Sequence, residues 1–161
     1  MTLAEFDQIC YEMIRSSTGR RFTWREIVTT KGGCVLAYCN DLLGAGQDYQ
    51  PGLYSILDAA GRVIYVGKSL RIAGRLADHA GVGEFSSKPS VGEAVAVREW
   101  LDRQKPYSLD YEVGVWNLPH LLETYLIRSY RPTFNKKENE AYFMKRTPVG
   151  GPVQMQVEIP S

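Results

Sequence analysis

Gly52-Leu53-Tyr54-Ser55-Ile56-Leu57, then Asp58-Ala59-Ala60-Gly61, then Arg62-Val63-Ile64-Tyr65-Val66-Gly67: this run sets the fold of the 161-residue chain. Two segments rich in β-branched and aromatic residues are separated by a short loop that ends in glycine, which is the pattern of a β-hairpin. Working forward, Lys68–Ala80 reads as a helix with Ile72, Ala73 and Leu76 turned inward, and residues 81–92 as a Gly- and Ser-rich loop. Glu93–Gln104 reads as a further helix. Leu109–Trp116 reads as a strand with Leu109, Tyr111, Val113 and Val115 on one face. Asn117 is placed to cap a helix that runs through Tyr130, with Pro119 in its first turn and Pro132 just past its end. Past Asn139 glycine and proline interrupt the chain until Val153–Ile159, whose alternation suits an edge strand.

Working backward, residues 2–16 form a helical pattern capped by Thr2 with Glu5 three residues on, and Leu3, Phe6, Ile9, Cys10, Met13 and Ile14 recur on one side. Thr23 caps a short helix over Trp24–Val28, Lys31-Gly32-Gly33 turns the chain, and Cys34–Leu43 is a third helical or irregular apolar piece. Gly44-Ala45-Gly46-Gln47-Asp48 is a joint before Pro51. The expected organisation is a helical extension over 1–48, an α/β (α+β) domain over 49–138 and a tail over 139–161. In the central domain a small, mainly antiparallel sheet is flanked by helices.

Composition narrows the function classes. Hydrophobic residues at 44% and charged residues at 23% are ordinary for a globular chain, and a net charge of +1 does not announce a nucleic-acid binder. Three cysteines without framework spacing argue against a disulfide scaffold. Cys34 and Cys39 lie far in sequence from His79 and His120, so structural zinc is not expected. The first residues lack the basic start and apolar core of a signal peptide, and no stretch approaches the roughly 20 apolar residues of a membrane span. The expectation is a cytoplasmic protein with no membrane partner.

The side chains that carry chemistry lie on and after the hairpin. Tyr54 and Tyr65 sit on paired strands and can project to a shared patch. Arg71, Arg75 and His79 follow at intervals of four, which places them on one helix face. That face alone would read as solvated basic surface. Glu123 stands among Leu121, Leu122, Tyr125, Leu126 and Ile127; it is either an exposed position on an amphipathic helix or a partly buried carboxylate, which must be paired or hold a cation.

Gly52-Leu53-Tyr54 and Tyr65-Val66-Gly67, followed in order by Lys68, Arg75, His79, Glu123 and Asn135, resemble the signature of the GIY-YIG nucleases. Leu53 and Val66 replace isoleucines of the name motif. Lys68 directly after the second triplet is similar to the bacterial excision-repair incision subunit, whereas Arg75 with His79 four residues on is similar to the homing-endonuclease branch. The resemblance spans residues 50–138. It implies a divalent-metal-dependent DNA endonuclease with a tyrosine as general base, here Tyr54 in preference to Tyr65, which would orient the water or the phosphate. A neighbouring Lys68 would favour the phenolate. Arg75 would hold phosphate oxygens, His79 would protonate the leaving oxygen or bind the DNA backbone, and Glu123 would bind one Mg²⁺ or Mn²⁺. Arg71, Asn135 and Lys136 are expected on the substrate side, Asn135 chiefly to hold its loop against the hairpin.

A restriction, defence or mobile-element enzyme fits so short a chain better than a repair subunit. A DNA-binding protein that keeps the fold without turnover, or an RNA-directed nuclease, are the other readings. One catalytic site cuts one strand, so double-strand cleavage would require a homodimer or two successive nicks.

Overall fold

The computed structural model describes residues 1–17, 19–43, 50–82, 93–135 and 157–158. The hairpin forms as the sequence predicts: β2 (Gly52–Leu57) and β3 (Val63–Ser69) pair antiparallel, with Tyr54 opposite Gly67 and Ile56 opposite Tyr65. Asp58 closes the turn, its Oδ1 accepting from the backbone N–H of Ala60 and of Arg62 at 2.9 Å each. Gly61 adopts a φ of 81°, the left-handed conformation in which a Cβ is costly. Around the hairpin the sheet has the order β3-β2-β4-β1-β5, where β1 is Gly19–Thr23, β4 Glu112–Trp116 and β5 Val157–Glu158. All its pairings are antiparallel except β1 with β5. The chain is therefore α+β with a mainly antiparallel sheet.

Side chains alternate between the two faces of the sheet, and each face has its own helices. Phe22, Tyr54, Ile56, Val113 and Val115 pack with α2 (Trp24–Thr30), α3 (Gly33–Leu43), α4 (Ile72–Ala80) and α5 (Glu93–Gln104), through Ile27, Val35, Ile72, Leu76 and Val97. Leu53, Val66 and Trp116 pack on the other side with α1 (Leu3–Arg15) and α6 (Leu122–Tyr130), through Cys10, Ile14, Leu122, Leu126 and Ile127. The capping box read from Thr2 and Glu5 forms, and Thr23 caps α2 as expected, there too as a capping box, with Glu26.

Four elements depart from the sequence reading. The segment before residue 49 is not helical throughout: Gly19–Thr23 is a strand inside the sheet, paired with β4. Gly19 suits this place because the Trp116 indole lies against it, with its Cε2 2.6 Å from where a Cβ would stand. β3 runs on through Lys68 and Ser69, so α4 starts only at Ile72. Leu109 belongs to a 3-10 turn over Tyr107–Asp110, and α6 begins at Leu122 rather than after Asn117. Of the tail strand expected over 153–159, only Val157–Glu158 lies within the described residues.

On α1 the expected apolar stripe is shifted. Ile9 and Met13 are exposed, whereas Asp7 is 2% exposed and forms an ion pair with Arg128 of α6, itself 5% exposed. Two opposite charges withdrawn from water compensate each other, and the pair ties the first helix to the last. Among the described residues no helix is long and apolar enough to cross a membrane.

Candidate active site

Tyr54 is placed by the sheet. Its ring crosses the neighbouring strand at Gly67, where a Cβ would lie 2.5 Å from the Tyr54 hydroxyl oxygen. The glycine of the second triplet is thus what lets the phenol of the first lie flat. Gly52 serves the sheet differently, because a Cβ there would collide with the carbonyl oxygen of Trp116 on β4. The glycines of both triplets are sites of close approach.

Three rings meet beside that contact. Tyr54 and Tyr65 have centroids 6.1 Å apart, and His79 lies 5.5 Å from the first and 5.8 Å from the second. The Tyr54 hydroxyl and His79 Nε2 are 2.8 Å apart in a buried hydrogen bond. His79 is 1% exposed, and burial, helped by the charges of Arg75 and Arg98, lowers its pKa to about 4. At neutral pH it is an uncharged imidazole. Its backbone carbonyl accepts from Arg98 Nη1 at 3.0 Å, which anchors the end of α4 to α5.

Burial also raises the Tyr54 pKa well above 10, reinforced by Tyr65; Arg75 opposes the shift, and Glu123 adds to it. The expected role of Tyr54 as the phenolate base does not fit this environment, because a phenol without water around it holds its proton. Tyr65 is only partly buried. Lys68 is not the cation that acts on Tyr54 either. An odd spacing along a strand sends Tyr65 and Lys68 to opposite faces, and Lys68 Nζ lies instead 3.9 Å from Glu123 Oε1.

Glu123 comes from the first turn of α6, with a side chain 16% exposed against 52% for Lys68. Its charge contributes last and least to the raised Tyr54 pKa, and α6 packs on the opposite face of the sheet from the phenols. β3 is the border strand of the sheet, and along its outer edge Phe134 N–H donates to Ile64 O and the Asn135 side chain pairs with the Val66 backbone. Arg75 is exposed on α4 and is felt by both Tyr54 and His79.

Other expectations need correction. Arg71, Arg75 and His79 do not share one solvent face: Arg71 and Arg75 are exposed, while His79 turns into the core because the last turn of α4 is wedged between the hairpin and α5. That leaves His79 behind the phenols, unable to protonate a leaving oxygen directly. Asn135 is 2% exposed, with Oδ1 accepting from Val66 N and Nδ2 donating to Val66 O, both at 2.8 Å. It grips the middle residue of the second triplet as a strand partner would, and does not reach substrate; the expected hold on the hairpin is what it provides. Lys136 lies outside the described residues.

His120, which reads as a surface residue in the sequence, is partly buried, with Nε2 3.0 Å from the carbonyl oxygen of Ser69. A carbonyl only accepts, so Nε2 carries the proton and the ring is tied to the strand that bears Lys68. Its position three residues before Glu123 was the available signal. Asp7 and Arg98, which secure α6 and α4, have no such signal in the sequence.

No protein-family model matches the chain, and no curated protein or solved structure does either.

Proposed function

We propose that the protein is a divalent-metal-dependent endonuclease acting on DNA. The observation that carries this reading is the packing of two phenols and an imidazole on one face of the hairpin, beside the exposed Arg75 of α4, with the Lys68–Glu123 pair on its other face. Hydrolysis of a phosphodiester requires an oriented water, positive charge for the phosphoryl oxygens and a proton for the departing oxygen.

Glu123 would hold the cation. Among the described residues no cluster of three or more His, Cys, Asp and Glu side chains suited to a metal includes it. One hard oxygen donor with water in the remaining positions matches Mg²⁺ or Mn²⁺ better than zinc. When bound, the ion supplies charge to the phosphoryl oxygens and acidifies its water.

In this proposal Tyr65, the phenol with access to solvent, orients the attacking water. Tyr54 and His79, joined to each other by the buried hydrogen bond, pack their rings against Tyr65. Arg75 offers a planar fork to phosphate oxygens. Lys68, with Nζ 3.9 Å from Glu123 Oε1, would add positive charge beside the carboxylate for the phosphate. Arg71, one turn before Arg75 and exposed, extends the cationic surface along α4.

Incubating the protein with supercoiled plasmid, single-stranded DNA and RNA, with Mg²⁺ or with EDTA, tests the reading. Cleavage of plasmid is expected only with metal, and it should drop by about 100-fold or more in Glu123→Gln and Tyr65→Phe. Cleavage indifferent to EDTA and to both substitutions would overturn it, and cleavage of RNA alone would move the substrate class. Nicked circles as the first product indicate one site acting alone, whereas direct linearisation indicates a homodimer.

A further inference from the structure

At the turn end of the hairpin, on the α6 side of the sheet, lies an open cleft of about 660 Å³. Ser55 and Trp116 form its floor. Three guanidinium groups from separate parts of the chain stand around it: Arg21 of β1, Arg62 at the hairpin turn and Arg131 just past α6. Asp58 is the carboxylate in this lining, and its oxygens are occupied, one by the turn amides and the other by Arg62 Nε at 2.9 Å. Arg21 has Glu112 at 3.7 Å, and Arg131 forms no salt bridge among the described residues. The Ser55 hydroxyl is buried at the floor without a hydrogen-bond partner, as a group does that is satisfied by a ligand or a ligand-borne water.

We infer that this cleft binds phosphates of a DNA duplex at a distance from the cutting site. The identity of the polyanion rests on the nuclease reading above; the cationic cleft does not. Guanidinium groups set at intervals suit a ligand whose negative charges are also spaced, and their planar forks match phosphate oxygens. The location adds a length. Val63 in the cleft and Lys68 at the candidate site lie on the same strand, five residues apart, which is about 17 Å at the usual rise. Successive phosphates of one DNA strand advance about 3.4 Å along the helix axis, so for a duplex lying along β3 the outer end of the cleft meets it about five base pairs from the cut and the Ser55 floor, level with Val66, about two. Contacts of this kind position the duplex without reading its sequence.

The test is equilibrium binding in a Glu123→Gln background, which leaves the duplex uncut, with duplexes of about 10 and about 25 base pairs across a range of salt concentrations. Arg62→Gln with Arg131→Gln should weaken the longer duplex about tenfold and flatten the salt dependence of its affinity by about two units of slope, and should also weaken the shorter one, whose length of about 34 Å still spans the separation. Arg62→Gln alone, in a side chain 80% exposed, should take about one unit and leave the thermal midpoint where it was. Unchanged affinity and slope for the long duplex would overturn the cleft, while plasmid cleavage by the wild type would leave the nuclease reading standing. Salt-sensitive, arginine-dependent binding by a wild type that never cuts would keep the cleft and end the nuclease reading. A protein that binds no duplex even at low salt would end both.

Discussion

Tyr54 illustrates how much a single position can be asked to do. Its ring rests on Gly67, its hydroxyl meets His79, and both contacts are buried. Gly67→Ala drives a methyl group into that ring, and the sheet around it leaves little room to adjust. We expect a loss of about 1–3 kcal/mol in urea unfolding together with loss of any metal-dependent cleavage. His79 gives the molecule a pH signature of its own. Its pKa in the folded protein, about 4, lies below the ordinary 6.5, so between those values the unfolded chain binds the extra proton. Stability is therefore full above about pH 6.5 and falls as pH drops toward 4, by at most about 3 kcal/mol from this group. Urea midpoints measured from pH 4.5 to 7.5 should show this slope in the wild type and a shallower one in His79→Gln. An equal slope in both would assign the acid sensitivity to other groups.

At the scale of elements, α6 brings Glu123 to the border strand, and the Asp7–Arg128 pair holds α6 to α1. Removing one partner strands the other charge away from water, so Asp7→Ala should cost about 3–5 kcal/mol, whereas Asp7→Leu combined with Arg128→Met should recover most of it. Comparing the two by chemical denaturation separates a lost partner from a lost contact. The hairpin was legible in the sequence because both its strands are apolar and the turn carries Asp58 and Gly61. The first strand was not. Gly-Arg-Arg-Phe-Thr has two adjacent arginines and only one large apolar residue, and what makes it a strand is Trp116, which lies nearly a hundred residues further along the chain and rests on Gly19. The end of β3 was hidden for a related reason, since Lys68 and Ser69 are polar residues whose strand conformation is imposed by pairing with Leu53 and Gly52. The candidate site shows the same division. Its members could be picked out from their order along the chain, but their exposure could not. That His79 is buried, that Tyr54 keeps its proton and that Lys68 faces Glu123 all depend on which side of a sheet each residue takes.

For the whole molecule, the strand at Gly19–Thr23 makes the first fifty residues part of the domain. A fragment limited to 49–138 lacks β1 and also α1, which covers Leu122, Leu126 and the rest of the second core. Such a fragment should show no cooperative unfolding by circular dichroism, while the full chain unfolds in one step; a sharp transition in the fragment would refute that dependence. The strand order also has a practical consequence. The residues with reactive side chains gather at β3, and the sheet's opposite margin is β5, four strand spacings or about 19 Å away. A tether, a reporter or a fused module attached near Val157 would stand at the sheet margin opposite the candidate site, whereas the same addition at the Ser69 end of β3 would stand beside it.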